Sequence, residues 1–232
     1  MEQILFKDVV YSRIREMIIA GTIAMGSKIS ESMLAEMLSA NKAPVRDALK
    51  RLQAEKLVVR KPKSGTYVFS MNSRDLSDVV NFRYILESSA LGFALHSRSE
   101  MLAARLEQVM DKMKQSIQLN NITDYMQQDS AFHLIIVEQG DNPFIMDSYT
   151  NIMAIVDTLR NYFGNTSEHL QNSLDQHRCL IDHVKARDAV AAKQLIWEHL
   201  LSPKSSFWNS RRVEDKLKDM PEPRLIHGSR HV

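Results

Sequence analysis

The chain has 232 residues, 44% of them hydrophobic, enough for one large or two modest domains. A single cysteine, Cys179, excludes an intrachain disulfide, and no apolar run approaches the roughly 18 residues of a membrane span. The net charge of +2 is unevenly spread: residues 1–70 carry 12 Lys/Arg against 7 Asp/Glu, and residues 71–232 carry 18 against 21. A basic head on a slightly acidic body points to a polyanion partner for the head alone. The opening MEQILFKDVV has no signal-peptide core, so a soluble, cytoplasmic chain with no membrane partner is expected.

From the N-terminus, Val10, Ile14, Met17 and Ile18 recur at helical spacing and predict an amphipathic helix over 7–20, with Gly21 at its C′ position. After a loop around Gly26, Ser30 or Glu31 opens a second helix with Leu34 and Leu38 inward. Residues 39–42 form a tight turn, Asn41 can cap a third helix, and Pro44 is tolerated in its first turn, where its missing N–H has no intrahelical partner. That helix turns Val45, Ala48, Leu49 and Leu52 to the core and carries Lys42, Arg46, Lys50 and Arg51 on its other face. Residues 57–59 and 66–69 flank KPKSG as a hairpin. Two helices, a tight turn, a basic third helix and a hairpin make a winged helix-turn-helix over 1–70.

Residues 71–73 read as a polar linker. Six helical stretches follow, at 74–97, 100–119, 122–139, 143–163, 167–186 and 188–210, broken by polar or glycine-containing turns. The expected fold is mainly α: the winged domain plus an all-α antiparallel helical bundle over 74–210. Residues 211–232 read as a charged tail, with Phe207 and Trp208 pinning its start to the body.

Residues 42–63 hold eight Lys/Arg against two Asp/Glu. Arg46 and Lys50 lie one turn apart and point outward when Val45 and Leu49 face the core. Such a helix fits the major groove, where arginine bonds guanine edges in pairs. Lys42, Lys50 and Lys63 suit phosphates, and Gly65 at the hairpin lets backbone approach a groove. A basic helix can also be a mere solvated face; its company with the tight turn, the proline and the basic hairpin favours DNA. The stretch SESMLAEMLSANKAPVRDALKRLQAEKLVVRKPKSGTYV resembles the DNA-binding domain of GntR-type regulators, through APVRDALKRL followed by KLV and a P-x-x-G wing. The resemblance implies DNA contacts at Lys42 and Arg46, the latter following the capping Asn41 by five residues, and a wing glycine at Gly65. Lys42 replaces a more usual arginine, and Ser32 occupies a contact site where arginine is common.

In DSAFH, Asp129 and His133 are i, i+4 on one helix face, and His177 and His199 lie on the last two helices. Three imidazoles and a carboxylate suit Zn²⁺, or Ni²⁺, Mn²⁺ or Fe²⁺. Spacing alone leaves open that each histidine is a satisfied core residue. The second domain resembles the ligand-binding domain of the FadR subgroup (FCD type), in its smaller six-helix branch. The residues that carry this are D-x-x-x-H, the two later histidines, the R-x-x-x-E of Arg83 and Glu87 in FRYILESSALGFAL, and the turn GDNP. The resemblance implies a divalent metal on Asp129, His133, His177 and His199. Gln176 stands before His177 where glutamate is common.

Arg83 and Arg160 are the candidates to hold a small carboxylate effector, since guanidinium pairs bidentately with carboxylate, and Tyr162 and Asn142 could add hydrogen bonds. An ion pair with Glu87 or another acid is the alternative for the arginines. Together these features describe a homodimer on a palindromic operator, released by an organic or sugar acid, with residues 70–73 as the hinge. A metal-dependent hydrolase with an accessory DNA-binding domain is the alternative from another class.

Overall fold

The computed structural model describes residues 6–164, 167–202 and 206–220. Helix α1 (Phe6–Ile19) buries Val10, Ile14 and Ile18. It stops where Gly21 takes φ +76°, a left-handed conformation that costs glycine little. The Ser30 side chain accepts from the Met33 amide at 3.1 Å and starts α2 (Glu31–Met37). The turn passes through Ser39 at φ +50° into α3 (Lys42–Ala54). Asn41 stands at the N-cap of α3 but makes no side-chain cap bond there, contrary to expectation. Leu38 and Leu49 are half-buried, because Leu38 closes α2 as its C-cap and Leu49 lies at the margin of the α3 stripe.

The wing is β2 (Val58–Lys61) and β3 (Gly65–Val68), paired antiparallel with Val59 opposite Tyr67 and Lys61 opposite Gly65. A third strand, β1 (Lys28–Ile29), pairs with the other edge of β3, giving the order β1-β3-β2. Two residues carry no alternating pattern, so β1 exists only through its partner. Ile14, Ile18, Leu34, Val45, Leu52, Leu57, Val68 and Phe69 are all fully enclosed. Each such side chain contributes about 1.5–3 kcal/mol of burial. Arg51 is exposed but turned toward α1. Its guanidinium sits 3.6 Å from the Tyr11 ring centre and bonds Asp8 at 2.7 Å, so it fastens α3 to α1 and does not join the outer cations.

The remaining helices are α4 (Ser73–Ser97), α5 (Ser99–Gln118), α6 (Ile122–Gln139), α7 (Pro143–Phe163), α8 (Ser167–Lys185) and α9 (Ala189–Leu201). Their starts and turns follow local chemistry. The Asn121 and Asp188 side chains cap α6 and α9, and Asn120, Asp141 and Arg187 supply the left-handed turns. Consecutive α5 and α6 pack together, as do α8 and α9; with such short connections each pair is antiparallel. Gly140 admits a close approach of α6 to α4, since a Cβ there would lie 2.8 Å from the Ala90 Cα.

The last predicted helix, 188–210, is shorter than expected. Ser202 is extended (φ −60°, ψ 128°), as suits a residue before Pro203. Beyond it come a 3-10 turn, Phe207–Asn209, with Phe207 and Trp208 buried as expected, and a two-turn helix α10 (Arg211–Lys218) where a tail was expected. Residues 221–232 of that tail lie outside the described residues.

The chain forms two compact units that do not follow chain order. The first joins residues up to Leu76 to Asn151–Phe163 of α7 and to the segment from Asp215. Within it the Asn161 amide donates to the Ile19 carbonyl at 2.8 Å, and the Lys216 ammonium to the Tyr162 carbonyl at 2.6 Å. Within residues 70–73, Ser70 and Met71 are buried while Asn72 and Ser73 are exposed, and the Met71 amide meets the Met220 sulfur at 3.4 Å. The second unit holds Ser77–Thr150 and Gly164–Glu214.

Candidate functional sites

In the second unit Asp129, His133, His177 and His199 come together from α6, α8 and α9. One ligand atom from each lies within 4.8 Å of all the others. Asp129 and His133 share the inner face of α6 because they are one turn apart, with Phe132 and Ile136 extending the buried stripe. The His133 and His177 Nε2 atoms are 3.3 Å apart. The Asp129 carboxylate lies 3.9 Å from the first and 3.8 Å from the second. His177 is stacked on Phe132, with ring centres 4.1 Å apart.

The surroundings fix which nitrogens point inward. The Glu87 Oε2 atom is 2.8 Å from His133 Nδ1, a carboxylate partner that orients the ring and leaves Nε2 as the nitrogen facing the cluster. In the same way Gln176 Oε1 is 2.9 Å from His199 Nδ1, which turns the His199 Nε2 lone pair toward the cluster. Burial first, and then the neighbouring His177 and His133, push the His199 imidazole well below its usual range and keep it neutral. Ser173 donates to Asp129 Oδ1 at 3.4 Å. Converging imidazole lone pairs beside a carboxylate are the donor set of a borderline divalent cation, so these residues fit a metal.

Glu87 is the anchor behind them. It accepts from Arg83 Nε at 2.6 Å and from the Tyr149 hydroxyl at 3.0 Å, besides His133. Burial would raise its pKa, but the Arg83 charge and then His133 outweigh that and hold it at about 2. Burial likewise opposes the Arg83 charge, and the Glu87 carboxylate more than offsets it, leaving the guanidinium firmly ionised. Both side chains are essentially enclosed, at 2% and 0% exposure. Arg83 Nη2 is buried with no hydrogen-bond partner among the described residues. Its charge is felt by both Asp129 and His199.

The other expected effector contacts fall elsewhere. The Asn142 amide oxygen accepts from the Phe144 and Ile145 amides at 3.0 and 3.2 Å, capping α7. Arg160 and Tyr162 group with the first unit: Arg160 is buried 3.9 Å from Asp157, and Lys216 lies 5.3 Å from the Tyr162 ring centre. Sequence reasoning missed Tyr149, which carries no spacing signal, and Ser173, although its i, i+4 spacing to His177 could have pointed to it; Gln176 was noted beside His177 but given no role. Glu87 was visible only as the i+4 companion of Arg83. Cys179 is exposed, since two residues from His177 is the opposite side of α8.

In the first unit Lys42, Arg46 and Lys50 form an exposed stripe along α3. Lys50 pairs with Asp47 at 3.2 Å and Arg46 with Glu31. Exposed Ser32 adjoins Glu31 in the first turn of α2, and exposed Asn41 precedes Lys42. Lys63 is exposed at the wing turn with φ +60°. Gly65, at φ +128°, lies under Lys28: a Cβ there would meet the Lys28 Cε at 2.8 Å. The positive φ favours glycine at Gly65, whereas the exposed Lys28 chain end is flexible and can move aside. No helix among the described residues is long and apolar enough to cross a membrane.

Residues 6–68 match the family model described as bacterial regulatory proteins, gntR family, and residues 78–202 match the FCD domain. The gluconate operon transcriptional repressor of Bacillus subtilis (strain 168) is 25% identical over 212 residues, covering 89% of this chain and 83% of that one. The Uxu operon regulator of Haemophilus influenzae is 27% identical over 226 residues, covering 88% and 84%. A crystal structure of a GntR transcriptional regulator from Rhodococcus sp. RHA1 shares the fold, with a TM-score of 0.72 at 18% identity over 92% of this chain and 96% of the other.

Proposed function

The chain belongs to the GntR family of bacterial regulatory proteins and carries an FCD domain, and on that premise we propose that it is a repressor released from its operator by a small sugar acid or related organic acid. A divalent metal, with zinc the first choice, is held by Asp129, His133, His177 and His199. When bound it supplies a Lewis-acidic point for an effector oxygen. The observation that carries this reading is the buried Nη2 of Arg83, without a hydrogen-bond partner among the described residues and within electrostatic reach of that ligand set. An unsatisfied buried donor costs about 1–3 kcal/mol, and a carboxylate oxygen would remove that penalty. The names of the gluconate and Uxu relatives support a sugar acid.

DNA recognition falls to the α3 stripe and the wing. Arg46 reads a base edge, while Lys42, Lys50 and Lys63 neutralise phosphates, Gly65 admits the wing backbone, and Ser32 and Asn41 approach from the helix starts. Two copies would engage the two halves of a palindrome. A self-complementary contact is supported by Phe82, Ile85 and Phe93 on one face of α4. They are 41%, 55% and 52% exposed at helical spacing. A hydrolase is disfavoured by the family and by chemistry. The carboxylate behind the cluster, Glu87, is committed to three donors and too acidic for a general base near neutral pH.

The deciding experiment is a thermal-shift series with gluconate and related sugar acids on protein stripped by chelator and then reloaded with Zn²⁺, Ni²⁺ or Mn²⁺. Stabilisation by an acid only in the metal-loaded protein, with parallel loss of operator binding, is expected. Equal shifts with and without metal would overturn the metal's part in effector binding.

A further inference from the structure

Glu31 opens α2 and reaches across to α3, where it grips Arg46. Arg46 Nε lies 3.0 and 3.1 Å from the two carboxylate oxygens, and Nη2 lies 2.9 Å from Oε2. The grip uses one edge of the guanidinium, Nε and one Nη2 hydrogen. Arginine has five N–H donors in a fixed plane, so the opposite end, Nη1 with the other Nη2 hydrogen, stays available. That end can bond guanine O6 and N7 together. Glu31 also lies in the field of other cations: its carboxyl is held below the usual range by the bond to Arg46 first, and by Lys42 and Arg60 besides.

We propose that Glu31 is a positioning residue for sequence discrimination. It fixes Arg46 in the one posture that offers a two-donor edge to a base, and it discourages sequence-independent binding. This rests on the reading of α3 as the recognition helix. Two physical effects act together. An ungripped arginine on an exposed helix swings to the nearest phosphate, which adds affinity for any duplex and carries no sequence information. A carboxylate set among the phosphate-contacting cations repels the backbone of every duplex, and only a correctly placed guanine compensates. Discrimination by a built-in repulsion is a general route to specificity.

The test uses the full chain and a duplex enriched by the wild-type protein from a randomised pool, compared with a scrambled duplex across a series of KCl concentrations. Glu31→Gln removes the charge at nearly constant shape, and Glu31→Asp keeps the charge but is one methylene too short to hold Arg46. Both are expected to lower the ratio of selected to scrambled affinity by about tenfold or more, through a loosened Arg46. Glu31→Gln should also bind the scrambled duplex several-fold more tightly, with a log–log salt slope steeper by about one. Repeating the enrichment with Glu31→Gln should relax base preference at the same base pair that Arg46→Ala relaxes. A ratio within twofold of wild type, or relaxation at a different base pair, would overturn the inference. Enrichment of no sequence by the wild-type protein would instead defeat the recognition-helix reading and this inference with it.

Discussion

Replacing Glu87 by glutamine tests the core of the sensing half. The carboxylate takes three donors, from Arg83 at 2.6 Å, His133 at 2.8 Å and Tyr149 at 3.0 Å, in a site with no exposed surface on the acid. Glutamine keeps one oxygen acceptor but turns an amide N–H₂ toward a donor and leaves the Arg83 charge without its counterion. Breaking a buried ion pair from one side costs about 3–5 kcal/mol, in line with two charge-assisted bonds of about 1.5–3 kcal/mol each. The metal-free variant should therefore lose about that much stability in urea denaturation under chelator, at an unchanged m-value. His133 would also lose the acceptor that fixes its Nε2 lone pair inward. Loss of such an outer partner weakens metal binding by about 10- to 100-fold, readable by competition with a chromogenic zinc chelator. A variant within about 1 kcal/mol of wild type, with unchanged zinc affinity, would refute the assignment of Glu87 as the anchor.

Other outcomes are open to direct measurement. Arg46→Ala should abolish preference for any enriched duplex, whereas Lys50→Ala should weaken all duplexes alike and reduce the salt slope by about one. The pair His133→Ala and His177→Ala together should leave the purified protein without bound metal by elemental analysis. Arg83→Lys keeps the charge opposite Glu87 but loses the fork. It should blunt release from the operator by sugar acids by about tenfold or more while operator affinity stays near wild type. Phe93→Glu, at a residue 52% exposed on α4, should shift the protein to a monomer by light scattering with its helicity retained.

Much of this was legible beforehand because it is periodic or local. The stripes of α1 and α3, the Pro44 start, the Gly21 stop and the wing punctuation each follow from a few neighbouring residues. The i, i+4 spacing of Asp129 and His133 dictated a shared helix face before any fold was known. Residue pairs far apart in the chain were not legible. Tyr149 owes its role to Glu87, and nothing in its own neighbourhood announces it; Gln176 adjoins His177 in sequence, but its bond to His199 on the next helix was not legible. Arg51 looked like one more outer cation until Asp8 and Tyr11 claimed it.

Chain chemistry alone thus determined the helical body and the basic winged head, since amphipathic spacing and turn residues act over a few positions, and the family resemblance added the set of four donors. Tertiary structure alone decided which lone pairs converge, which arginine edge stays unsatisfied, and that the end of α7 and the segment from Asp215 join the head. Hydrogen bonds, burial and electric fields depend on distance in space, and the order of residues along the chain does not encode that distance.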